Sequence, residues 1–350
     1  MAETTAKSNI IYEVVPIRLF LIVMLVFYHA FAIFSGAWEQ LDGYPKIYVY
    51  DVMDKLSYAC LLETFVFISG YILGYQVRWK GTATVLKPQN IFWKKLKRLI
   101  IPSMLFSILY LLTLGDLSKS YLTLAYEVLC GVGHMWFLPM LFWCFIYVYL
   151  IEKYISKWVV PLLFVMLFAS VTPLPLRIST AMYYFIFFYT GYYIQKNDLY
   201  FNRKISVLLP VFVVLFVLTF VLKIYVGELN AEWGRELFNN LWAIKCLHIV
   251  TNIVLRFVCA SFGLSLLMIL SRIIVNNTDT ALWSPILKVS ESCFGVYVFQ
   301  QFMLKLFNRS DFPYVINVYL YPWVLFIVSL GISLLMTILL RKTKIGKQLL

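Results

Sequence analysis

Residues 18–30, RLFLIVMLVFYHA, decide the architecture. A basic residue opens the stretch, apolar residues fill it and a histidine sits near its end. It lies inside a longer apolar run, Pro16 to Gly36, and roughly 17 to 25 such residues are enough to cross a bilayer as a helix. At 1.5 Å of rise per residue, His29 lies about 16 Å along the axis from Arg18. Arg18 can therefore rest at one membrane face while His29 sits roughly 10 Å below the other. Ionisable side chains at such depth are costly and mark function by default.

Similar runs recur outward from this one. They lie near Leu56 to Val77, Leu99 to Leu114, His134 to Ile151, Trp158 to Thr172, Ile178 to Ile194, Ile205 to Val226, Cys246 to Leu270, Ile286 to Phe307 and Val318 to Leu340. The expected fold is thus all-α, a polytopic transmembrane bundle of about ten helices forming one domain over 1–350. Tyr121 to Gly133 is apolar but too short to span, and reads as re-entrant or interfacial. Composition agrees: 62% of the 350 residues are apolar and only 13% are charged, against about 25% charged in soluble chains. The longest loops, Ala37 to Lys55 and Gly227 to Lys245, are too short to fold alone. The first run is long enough to span and does not read as a cleavable signal peptide.

The net charge of +13 first suggests nucleic acid, but its placement argues otherwise. With the N-terminus inside, twenty Lys and Arg residues fall in cytoplasmic segments, nine fall outside, and Arg256 stays within a helix. That asymmetry follows the positive-inside rule and predicts both termini in the cytoplasm. It leaves membrane lipid, and no nucleic acid, as the partner of the basic charge. The six cysteines sit mostly in or beside apolar runs without ligand spacing, so no metal site is expected.

Few polar groups lie at membrane depth. Glu63, in LLETFVFISGYILGY, reaches nearly the depth of His29, and the two could form a base and its orienting partner or a structural hydrogen bond. Ser69 and Gly70 permit close helix approach or the passage of a thin acyl-bearing chain. His134 opens the fourth helix between glycines, in GVGHMWFLP, and could line a cavity. Trp136 beside it could equally be an interfacial belt residue. Arg256 must face the bundle interior, either paired with Glu63 or Glu291 or holding a ligand. His248 falls at an expected interface. The segment RWKGTATVLKPQNIFWKKLKRLIIP holds seven basic residues and no acid. It is a topology signal that binds anionic lipid, or a seat for a phosphate-bearing cofactor against a helix start.

Taken in order, these segments resemble the acyltransferase-3 family of integral membrane O-acyltransferases. Arg18 and His29 match its Arg, ten residues, His pattern. Glu63 stands six residues before Ser69-Gly70. Lys95, Arg98, Leu99 and Pro102 match R/K-x-x-R-[IL]-x-x-P, and His134 to Leu138 match H-[LM]-W-F-L. The stretch FFYTGYYI, Phe187 to Ile194, is similar to a later family segment. One departure is clear: after Tyr297, GVYVFQQ puts Gln300 where the family often has His, and a glutamine cannot take the proton.

The resemblance implies transfer of an acyl group, usually acetyl, from cytoplasmic acyl-CoA to a hydroxyl of an envelope glycan or lipid-linked sugar. Acyl-CoA would be a donor substrate rather than a resident cofactor, and the setting a cell membrane, the bacterial inner membrane in particular. His29, Glu63 and His134 would then be catalytic. Arg18, Ser69, Lys95 and Arg98 would hold the donor. Trp136, Arg256, Tyr297 and Gln300 would serve the acceptor or the framework. Many members carry a fused outer domain; without one, the chain would act alone or with an envelope partner protein. Buried His, Glu and Arg also suit a transporter or flippase of a glycan or small anionic solute, although no paired broken helices are evident.

Overall fold

A computed structural model describes residues 11–199, 207–236 and 241–349. Every regular element among them is helical: α1 (Val14–Phe31), α2 (Tyr48–Tyr58), α3 (Leu61–Lys80), α4 (Thr82–Val85), α5 (Ile101–Leu114), α6 (Tyr121–Cys130), α7 (Phe137–Leu150), α8 (Val159–Ala169), α9 (Ile178–Lys196), α10 (Leu209–Glu236), α11 (Leu241–Asn277), α12 (Thr280–Ser290), α13 (Cys293–Asn308), α14 (Phe312–Val315), α15 (Tyr321–Leu340) and α16 (Lys344–Leu349). Among the described residues each of the ten predicted runs contains helix, with Ile286 to Phe307 divided between α12 and α13. Seven spans among the described residues are long and apolar enough to cross a bilayer. The other three fall short for physical reasons. α8 has 11 residues and α13 has 16, while α9 is diluted by tyrosines. The apolar segment Tyr121 to Gly133 forms the short α6, as its length dictates.

The predicted outer loop Gly227 to Lys245 is mostly helix, because α10 and α11 continue into it. No proline lies there to stop them. The side chains of 228–252, His248 included, lie outside the described residues.

Helix directions can be read from side-chain pairs. α3 and α9 run parallel: Glu63 meets Tyr183 at one end and Arg78 meets Asp198 at the other. α1 and α13 are also parallel, since Arg18 lies by Cys293 and His29 by Gln300. These directions match the alternation of ten crossings, in which the second and sixth share a sense, as do the first and ninth. The α3/α9 seam is close enough to exclude side chains. A Cβ on Gly70 would lie 1.9 Å from the Phe188 carbonyl oxygen, so the backbones touch there. Small residues are what permit that approach.

The segment before α5 is not ordinary α-helix. Gln89–Lys94 and Leu96–Ile100 wind as π-helical turns, a rare geometry often found at functional sites.

Candidate active site

The polar residues singled out in the sequence gather around two cavities. One, called inner after the orientation expected from the sequence, has a volume of about 730 Å³. Arg18, Ser69, Lys95, Lys97, Arg98 and Arg341 line it, with Tyr297 and an apolar wall that includes Leu25, Leu62, Phe65, Phe137 and Phe145. Two helical segments, α1 and residues 89–100, and the C-terminal end thus bring basic side chains to one cavity, so the two ends of the described chain share that face of the bundle. The π-turns set the aim of their lysines and arginine: the Lys95 ammonium lies 3.7 Å from the Phe145 ring centroid, a cation over a π face. Ser69 and Gly70 divide their tasks. Gly70 is against α9, while Ser69 lines the cavity and donates to the Phe65 carbonyl at 2.9 Å.

His29 stands just past the apolar end of this cavity. Leu25, which lines it, is one helical turn and about 6 Å before His29. The histidine is buried, and its Nδ1 lies 3.0 Å from Gln300 Oε1. With the amide oxygen as acceptor, Nδ1 donates, and Nε2 keeps the free lone pair. The expected partnership of His29 with Glu63 is therefore replaced by one with Gln300. The reason is helical geometry. Tyr28 faces α2, stacking on Tyr58 with ring centroids 4.2 Å apart, and the next residue is turned about 100° away, toward α13. Trp38 stacks on the other side of the imidazole at 5.4 Å. Gln300 is wholly buried, and its Nε2 has no hydrogen-bond partner.

Glu63 is buried and faces a full positive charge. Its Oε1 accepts from Arg256 Nε at 2.9 Å and from the Tyr183 hydroxyl at 3.3 Å. Of the alternatives open for Arg256, the structure realises the pair with Glu63; Glu291 instead binds Arg341 at 2.9 Å. Arg256 also lines the second, outer cavity of about 400 Å³, together with Tyr58, Trp136, Ser179, Thr180, Tyr183 and Tyr184. Along the chain, Tyr58 and Trp136 line the outer cavity, whereas Leu62 and Phe137 line the inner one. The end of α2 and the start of α3, and likewise the adjacent residues 136 and 137, thus serve different cavities.

His134 is held from all sides. Its ring nitrogens face Gln301 Oε1 and, at 3.0 Å, the Val298 carbonyl. Its backbone N–H donates to Gln301 Oε1 at 2.8 Å, and the Tyr297 hydroxyl donates to its carbonyl. Both ring nitrogens thus face acceptor oxygens, which makes this imidazole a strut rather than a free base. Gly133, with φ +57°, allows the approach: a Cβ there would lie 2.9 Å from Gln301 Oε1. Consecutive residues of α13 therefore serve the two histidines, Gln300 for His29 and Gln301 for His134. Gln301, Tyr183, Tyr184 and Lys223 are the polar residues that the sequence reading passed over. The Gln-Gln pair in an apolar run was a usable signal for the first of them. The tyrosines were hidden in an aromatic-rich chain.

Bundle and site together define a multi-pass helical membrane protein with a buried polar cluster and two cavities. Residues 16–342 match the model of the acyltransferase-3 family, described as an acyltransferase domain, and the chain belongs to that family. No curated protein and no solved structure matches it.

Proposed function

We propose that this membrane acyltransferase moves an acyl group, acetyl in particular, from cytoplasmic acyl-CoA to a hydroxyl of a cell-surface or lipid-linked glycan. The observation that carries the reading is the inner cavity. It is cationic at its mouth, apolar along its length, and ends one helical turn from a histidine with a free Nε2. The phosphates of coenzyme A suit Lys95, Arg98 and Arg18, since charge-assisted contacts to phosphate are among the stronger hydrogen bonds. The pantetheine arm suits the apolar walls beside Ser69.

In this reading His29 Nε2 takes the proton of the acceptor hydroxyl as its oxygen attacks the thioester carbonyl. The carbon–sulfur bond breaks, and the imidazolium returns the proton to the departing thiolate. General-base assistance of this kind is worth about 10²- to 10⁴-fold in rate. Gln300 holds the tautomer through Oε1, and its unpartnered Nε2 is a spare donor beside the reacting group. Glu63 would act through Arg256, and His134 as a positioning residue for α13. The basic face would be cytoplasmic, with both termini on it, and the membrane a cell membrane, the bacterial inner one in particular.

The test uses purified protein in detergent with radiolabelled acetyl-CoA and an envelope glycan fraction. Label should pass to the glycan in the wild type and not in His29→Ala, with acetyl-CoA binding retained by both. A wild type that neither binds acetyl-CoA nor transfers label would overturn the proposal.

A further inference from the structure

We propose that the outer cavity seats the acceptor and is built for a sugar bearing a carboxylate. The inference rests on the acyltransferase reading above and adds to it the chemical class of the acceptor.

The lining is that of a carbohydrate site. Trp136, Tyr183 and Tyr184 offer ring faces, while Tyr58, Ser179 and Thr180 offer hydroxyls. Aromatic rings pack the apolar C–H faces of a sugar, and hydroxyls meet its polar rim. Trp136 lines this cavity and the next residue, Phe137, lines the donor cavity, so an acceptor seated here would lie on the donor's side of the bundle.

The charge balance then selects among sugars. Arg256 uses Nε on Glu63 and one Nη2 proton on the Tyr184 hydroxyl. A guanidinium has five N–H donors in a planar fork, so the Nη1 side remains for something in the cavity that its residue lines. Among the described residues, Glu63 is the carboxylate paired with it, and Glu63 answers more than one cation. Lys223, half-buried on α10, lies within electrostatic reach of both Arg256 and Glu63. The Arg177 guanidinium lies 5.9 Å from the Trp136 ring centroid, and its Nε donates to the Cys130 carbonyl at 3.1 Å. Among the described residues, Arg256 and Lys223 thus share the one acid Glu63, and uncompensated charge away from water is costly. A bound anion would restore the balance. The planar fork of Arg256 matches a carboxylate in particular.

The experiment compares two probes that differ at one carbon, methyl glucuronoside and methyl glucoside. Their equilibrium binding is measured on the full-length protein in detergent, with acetyl-CoA binding measured in parallel. The wild type should bind the glucuronoside at least about tenfold more tightly, with the margin narrowing as salt is added. Arg256→Gln should bring the two affinities together. Lys223→Gln, which leaves the Glu63–Arg256 pair in place, should narrow the margin by about threefold. Equal affinity for the two glycosides in the wild type would overturn the inference, as would a preference that survives both substitutions. Either result with acetyl-CoA still bound would leave the acyltransferase reading standing. Loss of acetyl-CoA binding by the wild type would instead strike that reading itself.

Discussion

Gln300→Leu isolates the contribution of the residue that replaces the family's usual histidine. The substitution keeps the volume and removes the amide. Two effects follow, and they oppose each other in stability. Gln300 Nε2 is buried without a partner, so its removal relieves an unsatisfied donor. The loss of Oε1 strands the Nδ1–H of His29, which is buried as well. Each buried unsatisfied group costs about 1–3 kcal/mol, so the folding stability should change by less than about 1 kcal/mol. Catalysis has no such compensation. Without the acceptor, His29 no longer has its Nε2 lone pair fixed, and losing about 1.5–3 kcal/mol of orientation lowers kcat by roughly 10- to 150-fold. The assay is release of free coenzyme A thiol from acetyl-CoA in the presence of acceptor glycan, with thermal unfolding recorded on the same samples. Unchanged kcat would refute the orienting role of Gln300. A fall in Tm large enough to explain the lost rate would show that the residue serves the fold alone.

Other expectations follow from the same geometry. His29→Ala should abolish transfer while the protein still inserts and expresses; full activity would remove it from the mechanism. Glu63→Gln should lose most activity but less than His29→Ala, since the amide still accepts from Tyr183. It should also cost about 2 kcal/mol in unfolding free energy, a breach of a buried pair discounted for the 35% exposure of the Arg256 side chain. Gly70→Ala forces a Cβ onto the Phe188 carbonyl oxygen and should destabilise by about 3 kcal/mol, the upper end for overpacking; an unchanged Tm would deny the backbone contact. Lys95→Gln with Arg98→Gln should raise KM for acetyl-CoA about a hundredfold or more. Equal donor affinity in correctly inserted protein would remove the cluster from donor binding. Reporter fusions after Leu350 should place the C-terminus in the cytoplasm.

Much of this was legible in the sequence because a bilayer imposes one-dimensional rules. Run length marked the helices, and the spacing of Arg18, Glu63, Ser69 and His134 marked the polar depth. Arg18, Ser69, Lys95 and Arg98, which the family resemblance grouped as donor-holding, line one cavity. The pairing of His29 was not. Depth along an axis says nothing of rotation about it, and the 100° turn between Tyr28 and His29 sends one toward α2 and the other toward α13. For the same reason Glu63 could be placed at the right level without its true partner being certain between His29 and Arg256. The π-turns of 89–100 left no trace in hydropathy, because they change the radius of the helix and not its apolar content. The parallel approach of α3 and α9 depended on Gly70 lying against the Phe188 backbone and Gly191 against that of Phe67, which no local pattern encodes.

The most direct measurement of the central claim is mass spectrometry of envelope glycans from three strains: one with the wild-type gene, one without it, and one with His29→Ala at normal expression. The account predicts that an acetyl-bearing sugar is present in the first and lost equally from the other two. Identical glycans in all three, or full acetylation with His29→Ala, would contradict it.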